Sequence, residues 1–235
     1  MKKEEFSKEL IEKLNKINVN IENVQIEKFY KYMNLLVEWN EKINLTAITE
    51  PKEIILKHFV DCITILKYVP SDAKIVDVGT GAGFPGIPLN IMNINPNYTL
   101  VDSLNKRINF LNIVIKELEL ENITAIHTRI EEYAKENKEK FDIVTARAVA
   151  PLNILLELGI NLVKINKYFI AMKGNIENEP EFRNAIKTLN CSLGNIIKFK
   201  LPIEESNRSL IKIIKEKTNS KLFPRKYNEI KKKPL

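Results

Sequence analysis

Four of the seven glycines in this 235-residue chain, Gly79, Gly81, Gly83 and Gly86, fall within eight residues of one another. No other feature limits the possible folds so tightly. The cluster follows Ile75-Val76-Asp77-Val78, an apolar run that reads as a buried strand. Glycines just past a strand supply tight turns and let backbone approach a ligand closely. Pro85 and Pro88 then suit the first turn of a helix, where a missing N–H costs little. A second apolar run, Tyr98 to Val101, ends on Asp102. A carboxylate there, some twenty residues beyond the glycines, is placed to accept hydrogen bonds from ribose hydroxyls. Strand, glycine loop, helix, strand and acid together define a site for a nucleoside cofactor.

Two cofactor classes remain open on this stretch. Gly81-x-Gly83-x-x-Gly86 satisfies the dinucleotide fingerprint. Asp77 argues the other way, because a buried carboxylate repels pyrophosphate but favours the amine of a methionyl group. The spacing Asp77-x-Gly79-x-Gly81-x-Gly83 also resembles the first motif of S-adenosylmethionine-dependent methyltransferases. A methyltransferase is favoured over a nicotinamide enzyme.

The rest of the chain extends the βα pattern. Residues 1–70 read as a helical extension without glycine, carrying apolar stripes such as Phe6, Leu10, Leu14 and Ile17. A third helix, Lys52 to Leu66, follows Pro51, and His58 and Asp61 share one face of it. From Ala73 strands and helices alternate: strands at 123–127, 141–146 and 168–172, and helices at 104–119 (capped by Ser103), 151–164 and 179–190. Two last strands, 193–201 and 210–215, read as an antiparallel hairpin. Residues 71–216 therefore form a doubly wound, mostly parallel, seven-stranded Rossmann-like sheet closed by that hairpin. Ligands gather at the carboxyl ends of its strands, where Gly79, Asp102, Ile130 and Arg147 project.

Residues 217–235 are different. Lys217, Lys221, Arg225, Lys226, Lys231, Lys232 and Lys233 face Glu229 alone, nearly the whole formal charge of +7. With Phe223 and Tyr227 interleaved, the segment reads as a solvated basic tail able to touch phosphates. The N-terminus has no apolar signal region and no stretch approaches eighteen apolar residues. Cys62 and Cys191 are too few for a disulfide framework and lack metal-ligand spacing. The expectation is a cytoplasmic monomer with no membrane span and no metal.

Longer motifs sharpen the reading. LLVEWNEKINLTAI at 35–48, LKHFVDC at 56–62, VDVGTGAGFPGIPL at 76–89, LVDSLNKRINFL at 100–111, TARAVAPL at 145–152, AMKG at 171–174 and FPRKYNEIKKKPL at the end resemble the RsmG (GidB) family over nearly the full length. These are bacterial ribosomal RNA guanine-N7 methyltransferases. The resemblance implies methyl transfer from S-adenosyl-L-methionine to N7 of a guanine in the 530 loop of 16S ribosomal RNA, on free RNA or the small ribosomal subunit. It places Gly79 and Phe84 against the methionyl and ribose part, Asp102 on the ribose, Ile130 and Glu131 beside the adenine, and Arg147 at the mouth, with Gly81 also among the cofactor-binding residues. Guanine N7 already presents a lone pair, so no proton has to leave before attack and no catalytic base is named. A methyltransferase of the same fold acting on a small molecule or a protein is the alternative.

Overall fold

The computed structural model describes residues 1–175 and 182–235. Seven strands form one sheet in the order β3-β2-β1-β4-β5-β7-β6. They are β1 (Lys74–Val78), β2 (Asn97–Asp102), β3 (Ile123–His127), β4 (Phe141–Arg147), β5 (Val163–Lys173), β6 (Cys191–Lys200) and β7 (Asn207–Lys215). The first five are parallel, while β7 runs antiparallel to both β5 and β6. The doubly wound sheet and its closing hairpin are thus as the sequence implies.

Strand periodicity explains the two layers. Side chains alternate faces along a strand, so a strand buried on both sides feeds two cores. On β5, Phe169 and Ala171 join one buried cluster while Ile170 and Met172 join the other. The first cluster packs under α7 (Ile130–Glu136), α8 (Leu152–Gly159) and α9 (Arg183–Thr188). The second packs under α5 (Gly86–Met92), α6 (Asn105–Glu117) and the N-terminal helices α1 (Lys3–Asn15) and α2 (Asn23–Ile43). Phe6, Leu10, Phe29 and Leu36 share that cluster with Ile75 and Leu100, so the N-terminal helices lie directly on the sheet.

Three local expectations need correction. The helix expected over 52–66 is α-helical at Pro51–Glu53 (α3) and Asp61–Ile63 (α4), with a π-helical turn at Ile54–Val60 between them. Six of those seven residues are buried, more than an α-helical stripe would turn inward. The helix after Pro151 stops at Gly159, and the chain enters β5 at Val163, which pairs with Phe141 before a bulge. The helix α6 starts at Asn105 with Leu104, not Ser103, as its cap; the Leu104 N–H is taken by the Asp102 carboxylate at 2.9 Å. Of the helix expected at 179–190, residues 179–181 lie outside the described residues. The last helix is α10 (Tyr227–Lys232), and among the described residues no helix is long and apolar enough to cross a membrane.

Candidate active site

The strand order reverses between β1 and β4, the place where open parallel sheets hold ligands. The glycine loop lies there for steric reasons. Gly79 has φ +67°, and a Cβ on it would come 2.8 Å from Val149 Cγ2, so the ends of β1 and β4 touch at this point. Gly86 packs so closely that a Cβ would overlap Leu100 Cδ2. Asp77 sits beneath the loop, accepting from the Thr80 hydroxyl (2.7 Å), the Gly86 N–H (3.0 Å) and the Thr145 hydroxyl (3.3 Å). Burial pushes its carboxyl up to about 6. At neutral pH it is still mostly ionised, fastening the loop from below, and does not line the cavity above. From the N-terminal layer, the Tyr32 hydroxyl donates to the Ala82 carbonyl at 2.5 Å and braces the loop's outer side.

Above the loop is a cavity of about 410 Å³, within the roughly 300–1,000 Å³ of small-molecule sites. Gly79, Asp102, Ile130 and Glu131 line it, with Ala148–Ala150 opposite. The Asp102 carboxylate accepts from the Gly81 N–H (3.0 Å), the Leu104 N–H (2.9 Å) and Arg107 Nη1 (3.2 Å). A carboxylate offers about four acceptor positions, so one is left for a ligand hydroxyl. Glu131 is flanked by Arg129 at 3.9 Å, and Ile130 and Leu158 supply apolar wall. Close backbone, a held carboxylate and an aliphatic wall fit an adenosyl group.

A second cavity of about 240 Å³ adjoins the first, sharing Ala148 in its lining. Lys57, Arg147, Lys173 and Arg208 line it with Asp61 as the carboxylate. Arg147 is turned toward the π-helical turn. Its Nη2 lies 2.8 Å from His58 Nδ1, and its Nη1 lies 3.2 Å from Cys62 Sγ and 3.3 Å from Asp61 Oδ2. Asp61 Oδ1 in turn accepts from Arg208 Nε at 3.0 Å. Burial, then the charge of Arg147, lowers His58 to about 3, so its imidazole is neutral. Burial pushes the Cys62 thiol up to about 12, which leaves it protonated and unsuited to nucleophilic attack. Ala148, in the wall common to both cavities, has φ +54°, a strained conformation for a side chain with Cβ.

The sequence-named residues therefore divide. Gly79, Asp102, Ile130 and Glu131 meet in the larger cavity, and Gly81 reaches it through its bond to Asp102. Phe84 and Arg147 do not line that cavity. The Phe84 ring is buried against His58, with centroids 4.4 Å apart, and the Arg147 guanidinium lies over the same ring. Arg107, Arg129, Tyr227 and Arg208 line one cavity or the other without having been singled out for it. Arg107 was within reach, five positions past Asp102 in the first turn of α6; the others had no local signal.

A seven-stranded sheet in this order with a glycine loop after β1 is the fold of S-adenosylmethionine-dependent methyltransferases. It matches the solved structure of a SAM dependent methyltransferase from Aquifex aeolicus with a TM-score of 0.51, at 16% identity, over 70% of this chain and 94% of that one. The chain belongs to the GidB family, whose model, described as rRNA small subunit methyltransferase G, matches residues 25–210. It is 52% identical over 213 residues to the ribosomal RNA small subunit methyltransferase G of Desulforamulus reducens, covering 88% of this chain and 89% of that relative. It is 42% identical over 231 residues to the protein of that name from Caldanaerobacter subterraneus subsp. tengcongensis, covering 96% and 97%.

Proposed function

We propose that this protein transfers the methyl group of S-adenosyl-L-methionine to N7 of a guanine in the 530 loop of 16S ribosomal RNA, acting as a cytoplasmic monomer. The observation that carries this reading is the pair of adjoining cavities with Ala148 in their common wall, one fitted to an adenosyl group and one lined by cations. In this reading residues 71–216 hold the cofactor, 1–70 brace the glycine loop and 217–235 close the far side. The cofactor supplies a methyl group on a sulfonium centre. The protein's share is alignment: Gly79 and Gly81 bring backbone close, Asp102 takes a ribose hydroxyl, and Ile130 and Glu131 flank the adenine. Proximity and orientation alone can lower such a barrier greatly.

The cationic cavity suits the polynucleotide. With Lys57 already paired to Glu53 and Glu204, Arg147, Lys173 and Arg208 against Asp61 make a locally positive hollow for a phosphate of the target strand. Arg147 serves here by orientation, held by His58, Asp61 and Phe84 rather than reaching the cofactor. The carboxylates Asp61 and Asp102 are each engaged by arginine donors, and the transfer asks for no proton removal, because guanine N7 already holds its lone pair.

The test is to delete the gene, map 7-methylguanosine in 16S ribosomal RNA by mass spectrometry, and restore the gene. Loss and return of one 530-loop methyl group is the expected result. A methyl group that persists in the deletion strain sinks the proposal and leaves a small-molecule or protein substrate.

A further inference from the structure

The basic C-terminal segment is not a free extension. Glu157, fully buried in α8, accepts Arg225 Nε at 2.6 Å and Nη2 at 2.5 Å, and the Arg225 N–H at 3.3 Å. A bidentate pair on a buried carboxylate is both strong and directional. Asn161 Nδ2 donates to the Phe223 carbonyl at 2.6 Å, and Asn153 Nδ2 to the Leu235 carbonyl at 3.2 Å, so both ends of the segment are tied to the region of α8. Between those ties Ile230 is completely buried with Ile154 and Leu158. Tyr227, one turn earlier on α10, packs on the same cluster beside Ile130 and lines the adenosyl cavity.

We infer that residues 217–235 complete the nucleoside cavity, and that Tyr227 is a cofactor-binding residue whose ring stacks on the adenine. The inference rests on the cofactor reading above. Among the described residues, Tyr227 is the aromatic side chain of that lining. The ribose end of the cavity is set by Gly79 and Asp102, which leaves the base toward Ile130 and Tyr227. An aliphatic side chain and an aromatic ring make a slot for a flat base. Binding is then coupled to docking of the segment: whatever holds α10 against α8 holds the cavity wall, and a bound adenosyl group holds α10 in return. The lysines around it, Lys226, Lys231, Lys232 and Lys233, stay exposed.

The test uses the full-length protein and S-adenosylhomocysteine. Tyr227→Ala should weaken its binding roughly tenfold by calorimetry, the range expected for loss of one base stack, with Tyr227→Phe within about twofold of wild type. In wild type, S-adenosylhomocysteine should also slow trypsin cleavage after Lys226 several-fold and leave cleavage after the exposed hairpin residue Lys198 unchanged. Wild-type affinity in Tyr227→Ala, or tail cleavage indifferent to the ligand, overturns the inference while the cofactor reading stands. If wild type itself does not bind S-adenosylhomocysteine, the cofactor reading falls and this inference with it.

Discussion

His58 acquires its proton arrangement from Arg147. A guanidinium has no acceptor, so the 2.8 Å contact requires His58 Nδ1 to be bare. The proton is then on Nε2, which donates to Thr46 Oγ1 at 2.8 Å. A neutral imidazole held this way makes stability depend on pH. The group titrates near 6.5 when unfolded and at about 3 when folded, so its contribution is full above 6.5 and is lost as pH falls toward 3. Asp77 has the opposite sign, because its folded value is raised from 3.8 to about 6; its contribution is full below 3.8 and lost as pH rises through 6. Comparison with His58→Gln isolates the first effect. In urea denaturation, the stability advantage of wild type over the variant should shrink by about 1 kcal/mol per pH unit between pH 6 and 4. A difference that stays constant with pH would show that His58 is not held neutral. The spacing of His58 and Asp61 on one helical face was legible in the sequence. Their partner Arg147 was not, since it lies 89 residues away from His58 on another element.

The strand–loop–helix unit from β1 to α5 was the most legible element, because its signals are local: an apolar run, then residues without Cβ. What the structure adds is the separate reason for each glycine. Gly86 is required by packing, since its Cα lies against Leu100 on β2 and the Asp77 carboxylate. Gly86→Ala should therefore cost about 1–3 kcal/mol, as overpacking of a tight core does. An unchanged urea midpoint for that variant would mean that β2 can move aside. Other elements were legible in kind but not in detail. The π-helical turn at Ile54–Val60 keeps the apolar composition of an α-helix, and its Phe59 packs against Phe29 and Tyr32 of α2. The cap position of α6 fell to Leu104, whose N–H is held by the Asp102 carboxylate, so one carboxylate serves both the start of the helix and the cavity and Ser103 stays outside the role.

At the scale of the whole molecule, both ends of the chain converge on the same site. The N-terminal helices brace the glycine loop through Tyr32, and the C-terminal segment seals the opposite side through Glu157 and Arg225. Truncation after Lys215 would thus bare a buried carboxylate and the Ile154–Leu158 surface, and would disturb more than contact with RNA. The sharper test is Arg225→Met, which leaves Glu157 buried without its partner. Loss of one member of such a pair costs about 3–5 kcal/mol when both are buried, and Arg225 is 25% exposed, so about 2–3 kcal/mol is expected in denaturant unfolding. Weaker S-adenosylhomocysteine binding should accompany it. A variant as stable as wild type would mean that the segment is held by Ile230 and the asparagines alone.

The sequence by itself determined the doubly wound sheet, the glycine loop and the carboxylate at the end of β2. Each is written in a short-range pattern: a period of two along strands, glycine where a Cβ has no room, an acid at a strand's end. Only the tertiary structure decided that Arg147 joins His58, Cys62 and Asp61 instead of the cavity above the glycine loop, and that Tyr227 packs on the same cluster as Ile130 rather than in solvent. These meetings join residues far apart in the chain. They follow from how helices and sheet pack to bury apolar surface, and no spacing along the sequence records which distant side chains that packing brings within reach.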